Sequence, residues 1–240
     1  MAVVVVTGAT GTLGRVLVPA LQAAGHHVRA MTRRAGAVRG SYEVVADVLD
    51  AGSLTPALAG ADCVLHLASS PRKNVHRTEV DGTRNLLAAR EPDTSLVYLS
   101  IIGCDVTPYP YYRAKTAAEE LVRGAPAGHV IRAAQFHSFA AFLTKPRVLG
   151  AAIVPRGAKL QPVAEQFVAE ALVAAVNDPA GAPAEIAGPE VLSFAEIARR
   201  VHGARVVQVP VPGRMVAAMR RGSLLAGPDA LVGGAPLPTA

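Results

Sequence analysis

The amino-terminal stretch, residues 3–14, joins a run of four valines to three evenly spaced glycines. The valines at 3–6 are β-branched and make both faces of a strand apolar, which is typical of a strand buried inside a parallel sheet. Gly8, Gly11 and Gly14 follow, and then an apolar-periodic segment that predicts a helix. This order of strand, glycine turn and helix predicts a βα unit at the start of an α/β sheet.

Each glycine of the turn has a separate physical task. Gly8 can adopt backbone angles closed to other residues, so the chain can leave the strand sharply. Gly11 lets the backbone approach an anion, and Gly14 lets the helix pack closely on the strand. The free N–H groups and the positive end of the helix dipole then face a pyrophosphate. A glycine turn without a ligand is the alternative, and the position between strand and helix favours a dinucleotide.

The end of the second predicted strand indicates which dinucleotide binds. In folds of this kind an acidic residue about 20 positions beyond the glycine turn binds the ribose 2′-hydroxyl of NAD. Here that place holds Thr32, Arg33 and Arg34, with no carboxylate. Two guanidinium groups suit a 2′-phosphate, which they can bind with charge-assisted hydrogen bonds. We therefore predict NADP as the cofactor, the alternative being two arginines on a surface loop.

The alternation of strands and helices with short links predicts a doubly wound parallel sheet. Pro19 lies inside the first helix and predicts a kink there. The predicted strands are 3–6, 27–31, 42–46, 62–67, 94–99 and 129–132, and the predicted helices are 12–24, 53–58, 74–89, 109–124 and 134–143.

Beyond about residue 145 prolines interrupt the pattern, and we predict a small C-terminal substrate lobe. Helices are predicted at 164–176 and 193–201, the second with Ser193 and Glu196 as a capping box. Short strands are predicted at 184–187 and 205–209. The expected organisation is a cofactor-binding core at 1–145 and the lobe at 146–240, both within one structural domain.

Bulk properties narrow the function classes. The net charge of +6 is scattered, with no basic run interleaved with aromatic residues, so we expect no nucleic acid. No apolar run approaches a membrane span, and the chain begins directly with the strand, so no membrane and no signal peptide are expected. Cys63 and Cys104 are too few for a disulfide framework. These features predict a cytoplasmic protein, and no metal is predicted.

Two more strand ends are assigned to the cofactor. Asp47 and Val48 follow the third strand, where the acid can meet the adenine edge. Ala68 and Ser69 follow the fourth, where small side chains would let the nicotinamide half pass over the sheet. His66 is interpreted as a residue inside an apolar strand and not as a catalytic group.

Tyr111 and Lys115 are four residues apart on a predicted helix, a spacing that puts both side chains on one face. An ammonium near a phenol favours the phenolate and lowers the tyrosine pKa from about 10. Such a tyrosine can give a proton to a carbonyl oxygen as hydride arrives from NADPH. The lysine can also hold the nicotinamide ribose. Tyr112 has the wrong spacing to Lys115 and is interpreted as a packing or wall residue.

Together the glycine turn, the arginine pair and the Tyr-x-x-x-Lys spacing resemble the short-chain dehydrogenase/reductase superfamily. Other stretches resemble its atypical, NmrA-like branch, namely residues 100–103, 111–120, 132–137 and 186–190. The resemblance covers nearly the whole chain and implies an NADP-binding Rossmann fold with a small C-terminal substrate lobe. The residues assigned to the cofactor are Gly8, Thr10, Gly11, Thr12, Leu13, Gly14, Arg33, Arg34, Asp47, Val48, Ala68, Ser69 and Lys115.

The resemblance implies a catalytic set of Tyr111, Lys115 and Ser100, with one departure. The superfamily's usual serine or threonine lies just beyond strand five, whereas Ser100 comes early and is followed by two isoleucines and a glycine. The first hypothesis is a reductase acting on a carbonyl, enone or quinone. The departure keeps open a non-catalytic NADP(H) sensor, and a non-redox isomerase or cyclase is a third alternative.

The substrate is expected to meet Gln135, Phe136 and His137, which follow the sixth strand at the ligand-binding edge of an open sheet. His137 can bond a substrate or act as a second acid, and a packed histidine is the alternative. Phe136, Phe139 and Phe142 recur at three-residue spacing and are interpreted as core or pocket wall. We expect a small, apolar substrate and a monomer or homodimer.

Overall fold

A computed structural model describes residues 1–38, 42–145 and 148–240. It contains a large parallel sheet of eight strands flanked by helices, in the order β12-β9-β6-β5-β4-β1-β2-β3, which confirms the predicted α/β class. The strands are β1 (Val3–Thr7), β2 (His27–Thr32), β3 (Tyr42–Val45), β4 (Cys63–His66), β5 (Ser95–Ile101), β6 (Gly128–Ala133), β7 (Ala151–Pro155), β8 (Lys159–Leu160), β9 (Glu185–Ala187), β10 (Leu192–Ser193), β11 (Arg205–Val209) and β12 (Leu231–Val232). The helices are α1 (Gly14–Ala23), α2 (Ala51–Leu58), α3 (Gly82–Ala89), α4 (Pro110–Arg123), α5 (His137–Leu143), α6 (Glu165–Asn177), α7 (Phe194–His202) and α8 (Arg214–Arg220).

Strand β1 lies in the interior of the sheet, as its valines predict. It pairs in parallel with β2 on one side and β4 on the other, with Val5 opposite Arg29 and Val64. The side chains of Val4, Val5 and Val6 are fully buried. Because β1 ends at the glycine turn, this pairing fixes the turn beside the carboxyl ends of β2 and β4.

The capping box predicted for α7 is confirmed. Ser193 Oγ accepts a hydrogen bond from the Glu196 N–H (3.2 Å), and Glu196 Oε2 accepts one from the Ser193 N–H (2.7 Å). The helix ends at Gly203, whose φ of +57° lies in the left-handed region that suits a glycine C-cap. The sequence therefore determines both ends of this helix locally.

The prediction of a helix from residue 134 is wrong for its first three residues. Ala134 N–H donates to the Ile186 carbonyl (2.9 Å), and the Gln135 carbonyl accepts from Val163 N–H (3.0 Å). These non-local bonds hold the segment extended, so α5 begins only at His137. The sequence analysis also missed β7, β8, β10, β12 and α8, which are short or stabilised by distant partners.

The helix predicted at 74–89 is interrupted by a π-helical turn, Arg77–Asp81, that runs directly into α3. The extra residue per turn directs Glu79 and Val80 into the interior. At Gly82 a Cβ would lie 2.9 Å from Val48 Cγ2, so α3 can approach that side chain only with glycine here. Isolated π turns are frequent at functional sites.

Contacts divide the described chain into two units that interleave in sequence. The first comprises Met1–Ser100, Arg113–Ile131 and Ala169–Ala182, with a core that includes Val5, Val64 and Leu86. The second comprises Ile101–Tyr112, Arg132–Val168 and Pro183–Ala240, and its core is built around residues such as Leu160, Ile197 and Leu224. The predicted division of the chain at 145/146 stays a prediction, and Pro146 lies outside the described residues.

Among the described residues, no helix combines the length and apolar character needed to cross a membrane.

Candidate functional site

The glycine turn is built so that two of its glycines have close backbone neighbours. Gly8 has a φ of +68°, and a Cβ there would lie 2.9 Å from the Ala68 nitrogen. A Cβ on Gly14 would lie 2.4 Å from the Gly8 carbonyl oxygen. At Gly11 the nearest such atom is again the Gly8 oxygen, at 3.1 Å, and the residue is exposed. The turn therefore fits a pyrophosphate, with Gly11 on its open side.

The other residues assigned to this turn differ in what they can offer a ligand. Thr10 and Thr12 are exposed, so their hydroxyl groups can reach one. Leu13 is buried at the start of α1 and can contribute only its backbone. The Arg15 Nε–H donates to the Thr10 carbonyl at 2.9 Å, which fixes this guanidinium beside the turn.

The loop that carries Arg33 and Arg34 is organised by one carboxylate. Glu43 accepts hydrogen bonds from the N–H groups of Gly36 (2.6 Å), Ala37 (2.8 Å) and Val38 (3.1 Å), and from the Thr32 hydroxyl (3.1 Å). The Gly36 bond, with the others, lowers the pKa of Glu43. Both arginines are exposed. The loop is thus held in shape while its two cations face solvent.

A pocket of about 290 Å³ opens beside this loop. Its lining includes Thr10, Arg15, Gln22 and Val38. It therefore joins the glycine turn and the first helix to the loop after β2 and places the Arg15 side chain at its wall. A cationic, partly polar pocket of this kind can accept a phosphate group.

The residues assigned to the adenine have mainly structural contacts. Asp47 Oδ1 accepts from the Leu49 N–H (3.0 Å), which closes a local turn. Val48 is buried, and its carbonyl accepts from the Asn85 side-chain amide (2.9 Å). The assignment of Asp47 and Val48 to the cofactor stays a prediction.

The carboxyl end of β4 is fixed to β1 through a buried threonine. The N–H groups of Leu67 and Ala68 both donate to Thr7 Oγ1 at 3.1 Å. His66 Nδ1 lies 2.8 Å from the same oxygen, and its Nε2 lies 3.1 Å from Thr83 Oγ1. The Thr83 hydroxyl donates to the Glu79 carbonyl, so it accepts from His66, whose proton is then on Nε2.

Burial is the main cause that lowers the pKa of His66 to about 3. The charge of Glu79 acts to raise this pKa, and that of Lys115 acts to lower it. His66 is therefore a neutral bridge inside the sheet, in accord with its interpretation as a strand residue.

Acid is expected to destabilise the chain through His66. Between pH 6.5 and about 3 the unfolded chain binds a proton at this residue that the folded chain does not, so stability falls as pH falls. The slope of unfolding free energy against pH should drop by about 1.4 kcal/mol per pH unit in His66→Gln. Denaturant unfolding at pH 6 and pH 4.5 measures this slope. The exposed His27→Gln is the control, and equal slopes in both variants would contradict the assignment.

A buried carboxylate, missed by the sequence analysis, links the β4 end to Lys115. Glu79 Oε1 accepts from Ser69 Oγ (2.6 Å) and the Ser70 N–H (3.2 Å). Its Oε2 accepts from the Tyr98 hydroxyl (2.9 Å) and pairs with Lys115 Nζ at 3.1 Å. One available signal was that Glu79 shares a helical face with Val75 and Leu86, which are four residues before and seven after it.

Lys115 is itself almost completely buried. Its ammonium also donates to the Leu99 carbonyl (3.0 Å) and lies 4.5 Å from the centre of the Tyr98 ring. Burial raises the pKa of Glu79, but Lys115 and the hydrogen bonds from Ser69 and Tyr98 outweigh it, so the net shift is downward. Glu79 and Lys115 therefore form a charged pair in the interior of the first unit.

Ser100, the proposed third catalytic residue, is the penultimate residue of β5 and is buried. In the second unit, Tyr111 is half-buried and its ring packs against those of Tyr109 and Tyr112, with centroids 6.4 and 5.9 Å away. Tyr112 lies in the core of that unit, which confirms its interpretation as a packing residue.

The predicted substrate residues of the second unit include two polar side chains whose hydrogen bonding is incomplete. Gln135 is buried and interacts with the Tyr112 hydroxyl, but neither of its amide atoms forms a hydrogen bond of good geometry among the described residues. The same holds for His137 Nε2. Burial lowers the pKa of His137, although the charges of Glu165 and Glu190 act to raise it. The ring therefore favours its neutral form. Buried polar groups without partners are rare, and they indicate a missing ligand or water.

Phe136 is half-buried and bridges to Val163 through its backbone. Phe139 and Phe142 are about half exposed and stack on each other with centroids 6.3 Å apart. Their interpretation as core residues is therefore wrong, because α5 turns them toward solvent, and the alternative of a pocket wall stays a prediction.

The family assignment follows from comparison with known proteins. A protein-family model described as NAD(P)H-binding matches residues 8–179, which is most of the chain, and the chain belongs to that family. The matched range contains both the glycine turn and the Glu79–Lys115 pair.

Comparison with solved structures finds the same fold in several proteins. One is a short-chain dehydrogenase/reductase superfamily protein from Agrobacterium tumefaciens with bound NAD (22% identity, TM-score 0.71, covering 89% of this chain and 87% of that one). Another is an NADPH-dependent quinone oxidoreductase from Escherichia coli with NADPH (19% identity, TM-score 0.72, 93% and 91% covered). At these identities the likeness shows the fold alone.

A curated relative is the L-arabinose 1-dehydrogenase (NAD(P)(+)) of Haloferax volcanii, which is 40% identical over 94 residues. The match covers 37% of this chain and 36% of that protein, so the chain matches about a third of this relative's length.

Proposed function

We propose that this chain is an NADP(H)-dependent oxidoreductase that reduces a carbonyl, an enone or a quinone. The observation that carries the proposal is the glycine turn, in which backbone crowds Gly8 and Gly14 while Gly11 is exposed and has only the Gly8 oxygen, 3.1 Å away, as a near neighbour. Membership of an NAD(P)H-binding family supports the cofactor class. The fold shared with an NADPH-dependent quinone oxidoreductase supports the type of substrate.

In the proposed reaction the bound nicotinamide supplies a hydride. The Tyr111 hydroxyl holds the proton that the substrate oxygen receives. Lys115 binds the nicotinamide ribose, with its ammonium held in place by the Leu99 carbonyl and Glu79. Because Lys115 is paired with Glu79, the proposed role of the lysine is to orient the cofactor.

Gln135, Phe136 and His137 form the proposed substrate-binding set. The open amide of Gln135 and the open Nε2 of His137 offer hydrogen bonds to a polar group of the substrate. Phe136 supplies apolar surface. This combination favours a small, mainly apolar substrate that carries one or two oxygen atoms.

We propose NADP over NAD because two exposed arginines follow β2 and Arg15 lines the pocket beside them. Replacing Arg33 and Arg34 together by alanine should weaken NADPH binding about 10- to 100-fold, since each lost charge-assisted hydrogen bond costs about 1.5–3 kcal/mol before solvent screening reduces it. NADH binding should stay nearly unchanged. Titration by nicotinamide fluorescence measures both affinities.

The exposed Arg84→Ala is the matched control, because the Arg84 guanidinium pairs with Asp81, three residues before it, at 2.8 Å. It should leave both cofactors bound as before. An equal loss of NADPH and NADH in the double variant would remove the arginines from 2′-phosphate recognition.

A non-catalytic NADP(H) sensor is the second candidate, favoured by Ser100 lying inside a strand and buried. A panel of quinones, ketones and enones with NADPH separates the two candidates. Tight NADPH binding without oxidation by any member supports the sensor. Conversion of a substrate without net consumption of NADPH would instead support an isomerase or cyclase on the same scaffold.

The finer classification belongs to the same proposal. It comprises the NmrA-like branch, a cytoplasmic location, and a monomer or homodimer that binds neither nucleic acid nor membrane. The division into a core at 1–145 and a substrate lobe at 146–240 is part of it as well.

A further inference from the structure

We propose that Glu79 is a positioning residue for the nicotinamide half of the cofactor, holding both Lys115 and the segment after β4 in place. The inference rests on the proposed function, which assigns Lys115 to the nicotinamide ribose, and on the sequence-based prediction that Ala68 and Ser69 contact the cofactor. The motifs that carry the resemblance to the superfamily do not include Glu79, so the inference follows from the contacts of this residue in the structure.

The two oxygens of the Glu79 carboxylate serve two different segments. Oε1 binds Ser69 Oγ and the Ser70 N–H, which belong to the segment that follows β4. Oε2 binds the Tyr98 hydroxyl of β5 and the ammonium of Lys115 on α4. Each lone-pair direction is therefore used, and one side chain fixes two groups that are 46 residues apart in the chain.

Backbone contacts reinforce this arrangement. The π turn Arg77–Asp81 directs Glu79 inward, and its carbonyl accepts from the Thr83 hydroxyl. Thr83 is linked through His66 to Thr7, and Thr7 holds the N–H groups of Leu67 and Ala68. The backbone and the side chain of Glu79 thus both connect to the segment after β4.

The charge of Glu79 has a specific consequence. Lys115 is 3% exposed, and a buried ammonium without a counter-charge favours its neutral form. Glu79 supplies that counter-charge at 3.1 Å. The ammonium of Lys115 therefore has a counter-charge in contact, beside its hydrogen bond to the Leu99 carbonyl. Without Glu79 we expect the charge of Lys115, and with it the hold on the ribose, to depend on pH.

The primary test is a lysine titration that needs no substrate. The chain has four lysines, so ¹³C-lysine NMR can follow Lys115 with Lys115→Met as the assignment control. In Glu79→Gln the Lys115 signal should titrate at lower pH than in the unaltered chain. The matched control is Glu91→Gln, which alters an exposed glutamate before β5 whose carboxylate accepts from the Gly60 N–H at 2.9 Å. Its Lys115 signal should be unchanged.

The second measurement is the affinity for NADPH between pH 6 and pH 9. In Glu79→Gln the affinity should fall about tenfold or more across this range relative to Glu91→Gln, because Lys115 loses its proton. The double variant Glu79→Gln/Lys115→Met should be weak but show no such extra pH dependence. Because the double variant lacks both charges, it leaves no unpaired buried charge. It therefore tests the Glu79–Lys115 pair even where the single variant Glu79→Gln fails to fold.

The outcomes separate the two proposals. If the unaltered chain binds neither NADPH nor NADH, the proposed function fails, and the NMR titration still decides whether Glu79 holds Lys115 charged. If it binds NADPH but Glu79→Gln and Glu91→Gln share one Lys115 titration and one pH profile, the positioning role is wrong. A loss of thermal stability in Glu79→Gln with an unchanged profile would likewise assign the residue to folding alone.

Discussion

Gly11→Ala is expected to remove NADPH binding while leaving the fold nearly intact. A Cβ at this position meets only the Gly8 oxygen at 3.1 Å, and the φ of Gly11 is not in the left-handed region, so the folded chain needs only a small adjustment. The added methyl group points to the open side of the turn, where the pyrophosphate is proposed to bind. We expect affinity for NADPH to fall about 100-fold or more, which corresponds to about 2.8 kcal/mol.

Two matched glycine variants make the result specific. In Gly14→Ala the new Cβ would lie within 2.4–2.6 Å of the carbonyl oxygens of Gly8 and Ala9, so unfolding should become easier by about 1–3 kcal/mol. In Gly52→Ala the nearest atom is 3.5 Å away, so both folding and binding should persist. Chemical unfolding and NADPH titration measure the two effects. Retained affinity in Gly11→Ala would show that the turn does not hold the pyrophosphate.

Tyr111→Phe is expected to reduce the substrate-dependent oxidation of NADPH about 10²- to 10⁴-fold, the usual contribution of a positioned general acid. Binding of NADPH should persist, because the substitution removes one hydroxyl group and keeps the ring. The measurement is NADPH absorbance with whichever quinone, ketone or enone the unaltered chain accepts, together with a cofactor titration.

Tyr109→Phe is the matched control. Its ring belongs to the same cluster, 6.4 Å from that of Tyr111, yet it has no assigned role in the reaction. Its turnover should stay within about twofold of the unaltered chain, a difference below about 0.4 kcal/mol. Equal turnover in Tyr111→Phe would exclude Tyr111 as the proton donor and favour a different acid.

The sequence predicts the fold well where a feature depends on local chemistry. The valine strand, the glycine turn and the capping box of α7 are read from neighbouring residues, and the structure confirms all three. Residues 134–136 differ because their backbone bonds go to Val163 and Ile186, which no local pattern can indicate. The outward position of Phe139 likewise depends on the direction in which α5 packs.

The candidate site likewise has one part that local sequence predicts and another part that depends on contacts between distant residues. The sequence by itself predicts a dinucleotide turn, because three evenly spaced glycines lie between a buried strand and a helix. Only the tertiary structure reveals that Lys115 is paired with Glu79 and that the same carboxylate binds Ser69. Ser69, Tyr98 and Lys115 are 10, 19 and 36 residues away from Glu79, and a glutamate in a helix is ordinarily solvated. Because Glu79 is buried beside Lys115, its carboxylate becomes the counter-charge of that lysine. Residue type alone does not predict such burial.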